Sequence, residues 1–427
     1  MKSKNKEGSI ICDLSKRITE AQSKIGILEH LKWDESIKKD FFKHKAQRLP
    51  NITAEYYQKD PLPYVIEDKI AEFRHILRDA HHQLGEYSAM TRLINRQCEE
   101  YIRALVMLGA RGTPLFVDLA HELYGEPMDA FYPGGPRLAS MATRLYDILN
   151  VLDIQVESEA DRPQYTALQA RSMLQQRLDR FFSPYSIEIL VKNDMVSDAA
   201  AGGERISLNQ SSLFSEREIR SLEVHEGWVH VATTLNGRLQ PCCHFLSKGA
   251  PSCSVIQEGL AVLTEMVTLS SSPARMKKIT NRVIAIDKVT QGANFLDLYH
   301  YFLETGLSEE DSYNHCVRVF RGSTPTGGPF TKDLSYAKGL VLVYTFLGFA
   351  LRQKRLDVIP LLFCGKLMLS DIPLLLELKE EGFLADPIFL PPNFKDLSAL
   401  SAWMSLSLYL NAFDHQVMDQ NFKFLLG

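Results

Sequence analysis

The sequence predicts an α+β fold that is mainly α-helical, with a small β-sheet set beside one helix that carries the chemistry. Three observations lead there. Apolar residues recur at helical spacing over most of residues 13 to about 175. A short stretch between Ile187 and Leu208 alternates instead. Helical patterns with capping signals return at Ser215 and continue to the end of the chain.

In order along the chain, residues 14–28, 66–84 and 92–108 read as amphipathic helices, with Pro61 and Pro63 breaking the chain between the first two. Gly134-Gly135-Pro136 marks a turn. Residues 165–181 read as a further helix, ended by Ser183-Pro184. Ile187, Ile189 and Val191 alternate with Glu188, Leu190 and Lys192, the pattern of a strand. Ala201-Gly202-Gly203 supplies a turn and residues 204–208 a second strand, so a β-hairpin or small sheet is expected just before residue 215. Ser215-Glu216-Arg217-Glu218 fits a capping box, opening a helix that runs to Asn236-Gly237, with the glycine just past its end. After a loop at 238–251, Ser254-Val255-Ile256-Gln257 fits a second box and opens a helix ending near residues 270–273. The remainder reads helical, broken at 322–329 and at Pro387, Pro391 and Pro392. The expected division is an N-terminal helical region (1–175), a catalytic core with the hairpin and both capped helices (176–300), and a C-terminal helical region (301–427) packed on the core.

Composition narrows the function. Among 427 residues, 48 Lys and Arg stand against 52 Asp and Glu, a net charge of -4 that gives nucleic acid no electrostatic footing. Hydrophobic residues at 45% and charged residues at 23% are ordinary for a soluble globular chain. The seven cysteines contain no CxxC pair, so neither a zinc ribbon nor a disulfide framework is expected, and a reducing compartment fits. The N-terminal MKSKNKEGS has no apolar segment behind its charges, and the longest apolar run, 339–351, is too short to span a bilayer. The expectation is a cytoplasmic protein without a membrane partner, with export lacking a cleaved signal left open.

The chemistry concentrates in Leu222-Glu223-Val224-His225-Glu226-Gly227-Trp228-Val229-His230. Two histidines flank a glutamate that directly follows the first. Catalytic zinc needs neutral imidazole ligands, an open position for water, and a nearby unbound carboxylate to take that water's proton. In the familiar H-E-x-x-H the histidines lie at i and i+4 on one helix face. Here they lie at i and i+5, and at roughly 100° per residue a regular helix turns the second about 140° away from the first. A π-bulge is one way to bring them together, and Gly227 within the interval eases it. A widened turn is therefore expected at 225–230. Glu258, one turn into the second capped helix and flanked by Gly259, is the chosen third ligand; Glu226 is the base, and Glu265 can orient a histidine.

The blocks LEVHEGWVHVATTLNGRLQP, FLSKGAPS and QEGLAVLTE resemble the bacterial QEGLA-motif family, named for a presumed effect on flavohaemoglobin expression. That family is similar to the microtubule-associated tyrosine carboxypeptidases, which also show an HExxxH motif and a downstream Glu-Gly. VFRGSTPTGGPFTKDLSYAKG at 319–339, DLSKRITEAQSKIGILEHLKW near the start and HELYGEP near residue 124 fit the same family, so the resemblance spans nearly the whole chain. It implies a zincin-like metallopeptidase core, Zn2+ on His225, His230 and Glu258, Glu226 as general base, and a peptide or protein C-terminus as substrate. The tubulin-directed members remove a C-terminal tyrosine; these residues do not carry that substrate over.

Several roles remain open between candidates. Tyr336 or His300 can donate to the oxyanion. Lys248, Arg321 or Lys332 can hold a terminal carboxylate. The 205–208 strand either pairs with an extended peptide or closes the sheet. Cys242, Cys243, His244 and Cys253 read as ordinary buried thiols, with a thiolate zinc site as the alternative. A non-catalytic zinc-containing binding or regulatory protein is the competing functional reading, and Glu226 weighs against it, because a purely structural site has no use for a base.

Overall fold

The structure is a computed structural model and describes residues 2–151, 158–193, 195 and 197–413. Seven helices come first: α1 (Lys2–Gln22), α2 (Glu35–Lys43), α3 (Ala54–Gln58), α4 (Ile66–Leu84), α5 (Ala89–Gly109), α6 (Pro114–Tyr124) and α7 (Leu138–Val151). Strand β1 (Tyr165–Thr166) and α8 (Ala167–Phe182) lead into β2 (Glu188–Lys192), β3 (Ala199–Gly202), β4 (Arg205–Asn209) and β5 (Leu213–Phe214). Then α9 (Glu216–Leu222), a π-helical segment (Glu223–Val231) and α10 (Ala232–Arg238) run on without a break. The chain continues through α11 (Ser254–Val267), α12 (Pro273–Thr290), α13 (Phe295–Glu304), α14 (Glu309–Phe320), α15 (Ser335–Arg352), α16 (Ile372–Glu381), α17 (Pro392–Lys395) and α18 (Leu397–Leu410). The mainly helical α+β character is as expected; the part of the expected C-terminal region from 414 onward lies outside the described residues.

Helices form where apolar spacing and caps agree. Helix α5 starts at Ser88, whose hydroxyl accepts from Thr91 N at 3.1 Å. Its Leu93, Ile94, Tyr101, Leu105 and Leu108 are buried in one core with Phe73, Ile76 and Ala80 of α4, and Tyr101 stacks on Phe73 at 5.5 Å. Helix α8 begins two residues later than the sequence suggests, because Tyr165 and Thr166 pair with Phe214 and Leu213 and Thr166 then caps.

Of the expected hairpin or small sheet, the chain forms the small sheet, with three strands. Its order is β2-β4-β3. The two strands read from the sequence run parallel, with Ile189 opposite Ile206 and Val191 opposite Leu208. Ala201 and Gly202, expected in a turn, belong to β3, which pairs antiparallel with β4; the turn falls at Gly203, with φ 63°. Alanine and glycine carry little strand propensity, so β3 leaves no local signal. Because β4 is central it has no free edge, which removes residues 205–208 as a docking strand. The sheet's Ile189, Ile206 and Leu208 share a core with Leu174, Leu178 and Phe182 of α8 and with Val231 and Leu235 of the long helix. That core seats the π-helical segment.

Three further expectations change. Gly237 lies inside α10: a Cβ there would stand 2.4 Å from Ser247 N, so close approach of the following loop explains the glycine. The second capping box does not form. The turn Pro251–Cys253 already leads into α11 with Cys253 in helical geometry, and the Ser254 hydroxyl lies 3.4 Å from that of Ser335. Cys242, read as a free thiol, forms a disulfide with Cys12, a partner 230 residues away that spacing could not reveal; Cys243 and Cys253 are buried free thiols.

Helix α15 packs along α11. A Cβ on Gly259 would stand 2.0 Å from Gly339 C, and one on Gly339 would stand 1.8 Å from Val255 O, so the two backbones touch. With the turn before it, the stretch Thr331–Arg352 is long and apolar enough to cross a membrane by length and composition, which corrects the expectation of too short a run; 39% of its most apolar window is buried. Neither backbone can yield to a methyl group at the crossing. Gly339→Ala is expected to lower the unfolding free energy by about 3 kcal/mol, at the upper end of overpacking costs, and urea denaturation measures it.

Candidate metal centre

The capping box at Ser215 starts the helix that carries the centre. Ser215 Oγ accepts from Glu218 N at 3.1 Å, and Glu218 Oε2 accepts from Ser215 N at 2.7 Å. From Glu223 to Val231 the backbone then winds as a π-helix, the widened turn that the i, i+5 spacing calls for. Gly227 faces α8, where a Cβ would stand 2.4 Å from Leu178 Cδ2. The wider turn brings the rings of His225 and His230 to 4.8 Å between centres.

Helix α11 brings Glu258 to the same point. Its Oε2 lies 3.3 Å from His225 Nε2 and 3.4 Å from His230 Nε2. Ligand atoms of His225, His230 and Glu258 all lie within 4.8 Å of one another, a group that can hold a metal ion. Each histidine is held from behind. His225 Nδ1 donates to Glu265 Oε1 at 2.6 Å, and Arg275 donates to the same oxygen at 3.0 Å. His230 Nδ1 stands 3.5 Å from Gln257 Oε1, which also accepts from the Thr233 hydroxyl at 2.7 Å. Both Nδ1 atoms face acceptors, so both Nε2 atoms turn inward toward Glu258.

Glu226 stays out of the triad. Its Oε2 accepts from Ala201 N of β3 at 2.9 Å, which fixes one carboxylate oxygen. Tyr336, at the start of α15, lies nearly parallel to the His225 ring at 6.2 Å, and burial, then Glu258, pushes its hydroxyl up to about 12, so it stays protonated at neutral pH. Lys332 Nζ stands 3.6 Å from Glu258 Oε1. Arg321 Nη2 lies 3.8 Å from Asp333 Oδ1 in an arginine cluster beyond Tyr336. Lys248 is committed elsewhere: its ammonium donates to the carbonyls of Gln22 and Ile25 behind α1. His300 lies on the exposed face of α13 against Tyr299.

The chain matches the family described as microtubule-associated tyrosine carboxypeptidase over residues 39–412. It belongs to that family. No curated protein matches it. In this member of the carboxypeptidase family, the matched region contains the whole His-His-Glu group together with Glu226, Tyr336 and Lys332.

The donors fit a cation on chemical grounds. His225 Nε2, His230 Nε2 and Glu258 Oε2 are electron-pair donors crowded into one spot, where they repel unless a positive charge lies between them. Burial alone would depress the His225 imidazole, but hydrogen bonds to Glu258 and Glu265 overcome it and raise the pKa to about 9. Burial likewise opposes ionisation of Glu258, yet His225, His230 and Lys332 hold its pKa well below the usual carboxylate range.

Sequence reasoning missed Gln257, Thr233 and Arg275, which orient or brace the histidines, and Lys366, which acts electrostatically on Glu258 and Glu226 while burial lowers its own pKa. Gln257 adjoins Glu258 in the QEGLA element and Thr233 lies one turn past His230 on the same helix, so their neighbourhoods were a signal; Arg275 and Lys366 are brought in from separate elements.

Glu265 ties this network to stability. Burial raises its pKa, but Arg275 and then His225 pull it down from 4.5 to about 2. A folded-state value below the unfolded one stabilises above pH 4.5, and that stability drains away as pH falls toward 2. Urea unfolding at pH 5 and at pH 2.5 is expected to show a loss of about 2 kcal/mol from this group, and Glu265→Gln should flatten that part of the profile.

Proposed function

We propose that this protein is a zinc-dependent carboxypeptidase with a zincin-like core, which removes residues from the C-terminus of peptides or proteins. The observation that carries the reading is the arrangement on the long helix and α11. Three inward-facing donors meet at one point, and Glu226 stands beside them with an oxygen to spare. A structural metal site is closed by a fourth protein ligand and has no need of such a base. Among the described residues, His225, His230 and Glu258 form the only such group of three.

His225, His230 and Glu258 would hold the ion. Zinc there would supply Lewis-acid activation of a water, whose pKa falls toward ~7. Glu226 would take a proton from the attacking water on the oxygen that Ala201 does not hold, and pass it to the departing amine. The protonated Tyr336 hydroxyl donates to the carbonyl oxygen as it gains charge. Lys332 offsets the charge of Glu258 from the side away from the histidines. Helix α12 contributes Arg275, which keeps Glu265 ionised and therefore His225 oriented.

Metal analysis of the purified protein beside His225→Ala and Glu258→Ala is expected to show near-stoichiometric zinc in the first and little in the variants. Glu226→Gln should keep its zinc and lose at least about a hundredfold in cleavage of a peptide library read by mass spectrometry. Full zinc in both ligand variants would refute the ligand set, and undiminished turnover in Glu226→Gln would refute the base.

A further inference from the structure

Beyond Tyr336 lies a buried cluster of unbalanced charge. Arg282 of α12 and Arg318 and Arg321 of α14 or its end surround a single carboxylate, Asp333. Arg318 satisfies it with a two-bond fork, Nε to Oδ2 at 2.8 Å and Nη2 to Oδ1 at 3.0 Å. Arg282 Nε stands 3.9 Å from Asp333 Oδ2 and Arg321 Nη2 stands 3.8 Å from Oδ1, too far for hydrogen bonds. Three guanidinium groups thus face one carboxylate. Arg282 Nε, Arg282 Nη1 and Arg321 Nε are buried without a hydrogen-bond partner, and Arg282 is only 7% exposed. Unpaired buried charge is expensive, and a fold that keeps it is ready for an anion from outside.

The position of the cluster says which anion. The Arg282 guanidinium carbon lies 4.3 Å from the Tyr336 ring centre, and that ring lies 6.2 Å from the ring of His225. Laid end to end, these distances put the guanidinium within about 10.5 Å of the first histidine of the metal group. One residue of chain spans at most about 3.6 Å, and a guanidinium–carboxylate fork adds about 3 Å. A carbonyl at the metal group and a carboxylate on Arg282 are therefore separated by no more than about two residues of extended chain.

We propose that Arg282 and Arg321, braced by the Arg318–Asp333 pair, form the subsite for the free α-carboxylate of the substrate. The subsite confines cleavage to the last one or two peptide bonds. Arg282 and Arg321 contact the substrate; Arg318 and Asp333 position them. This inference rests on the peptidase reading above and supplies its specificity for chain ends.

The test uses full-length Glu226→Gln protein, so that binding is read without turnover. It is titrated with three octapeptide libraries lacking internal Asp and Glu: one with free C-termini, one amidated, and one amidated after a final Glu. The free-acid library is expected to bind at least about tenfold tighter than either amide, as two charge-assisted hydrogen bonds allow. Arg282→Met in this background should bring that ratio close to one, and Arg282→Lys should restore part of it. Equal affinity of acid and amide in the parent protein overturns the subsite, as does an unchanged ratio in Arg282→Met. Tight binding of the Glu-terminated amide would reassign the cluster to acidic side chains and overturn the inference in that form. If Arg282→Met fails to fold, Arg321→Lys and the parent ratio still decide. Residual cleavage by Glu226→Gln would count against the proposed base and leave the acid-to-amide comparison intact.

Discussion

Three electron-pair donors are forced to face one another in the interior, and much of the surrounding structure exists to hold them there. Lone pairs on His225, His230 and Glu258 repel unless a positive charge lies between them, so the group holds together only around a cation or a proton. Two constraints place the three donors there. The π-helical winding from Glu223 to Val231 turns two histidines five residues apart toward one side. The backbone contact between Gly259 and Gly339 locks α11 against α15, with Glu258 beside the contact. A π-helix is uncommon because its hydrogen-bond geometry is poorer than that of an α-helix. Here it is held by a firm cap at Ser215 and by the shared core of α8 and the small sheet.

Around this group, charges are arranged in pairs that leave one side out of balance. Glu265 is matched by Arg275 and by His225. Glu258 faces two histidines and Lys332. Farther out, past the ring of Tyr336, the arginines outnumber their carboxylate. The gradient from a balanced metal group to an excess of positive charge follows one direction through the site. A peptide with a negative end can lie along that direction.

Features set by neighbours in sequence are legible in the order of the residues. The capping box at Ser215, the amphipathic run of α4 and the need for a widened turn between His225 and His230 all depend on residues within a turn or two of each other. Features set by distant contacts are not. Strand β3 is built of alanine and glycine and exists because β4 offers it a partner. Gly237 reads like a helix terminator but makes room for Ser247, and the Ser254 box is overridden by the turn before it. Thr233 completes the support of His230 from within the same helix, but only because Gln257 arrives from another one.

The sequence by itself determined the helical class, the spacing problem at the two histidines and the residues that could solve it, because these follow from local periodicity and side-chain chemistry. Tertiary structure alone decided that Glu265 stands behind His225 and Gln257 behind His230, that β4 is buried between two strands, that Cys242 joins Cys12, and that Arg282 and Arg318 gather with Arg321 on Asp333. The physical reason is range. Helix propensity and capping act over a few residues, whereas ion pairing and backbone contact act through space between segments that can be hundreds of residues apart in the chain.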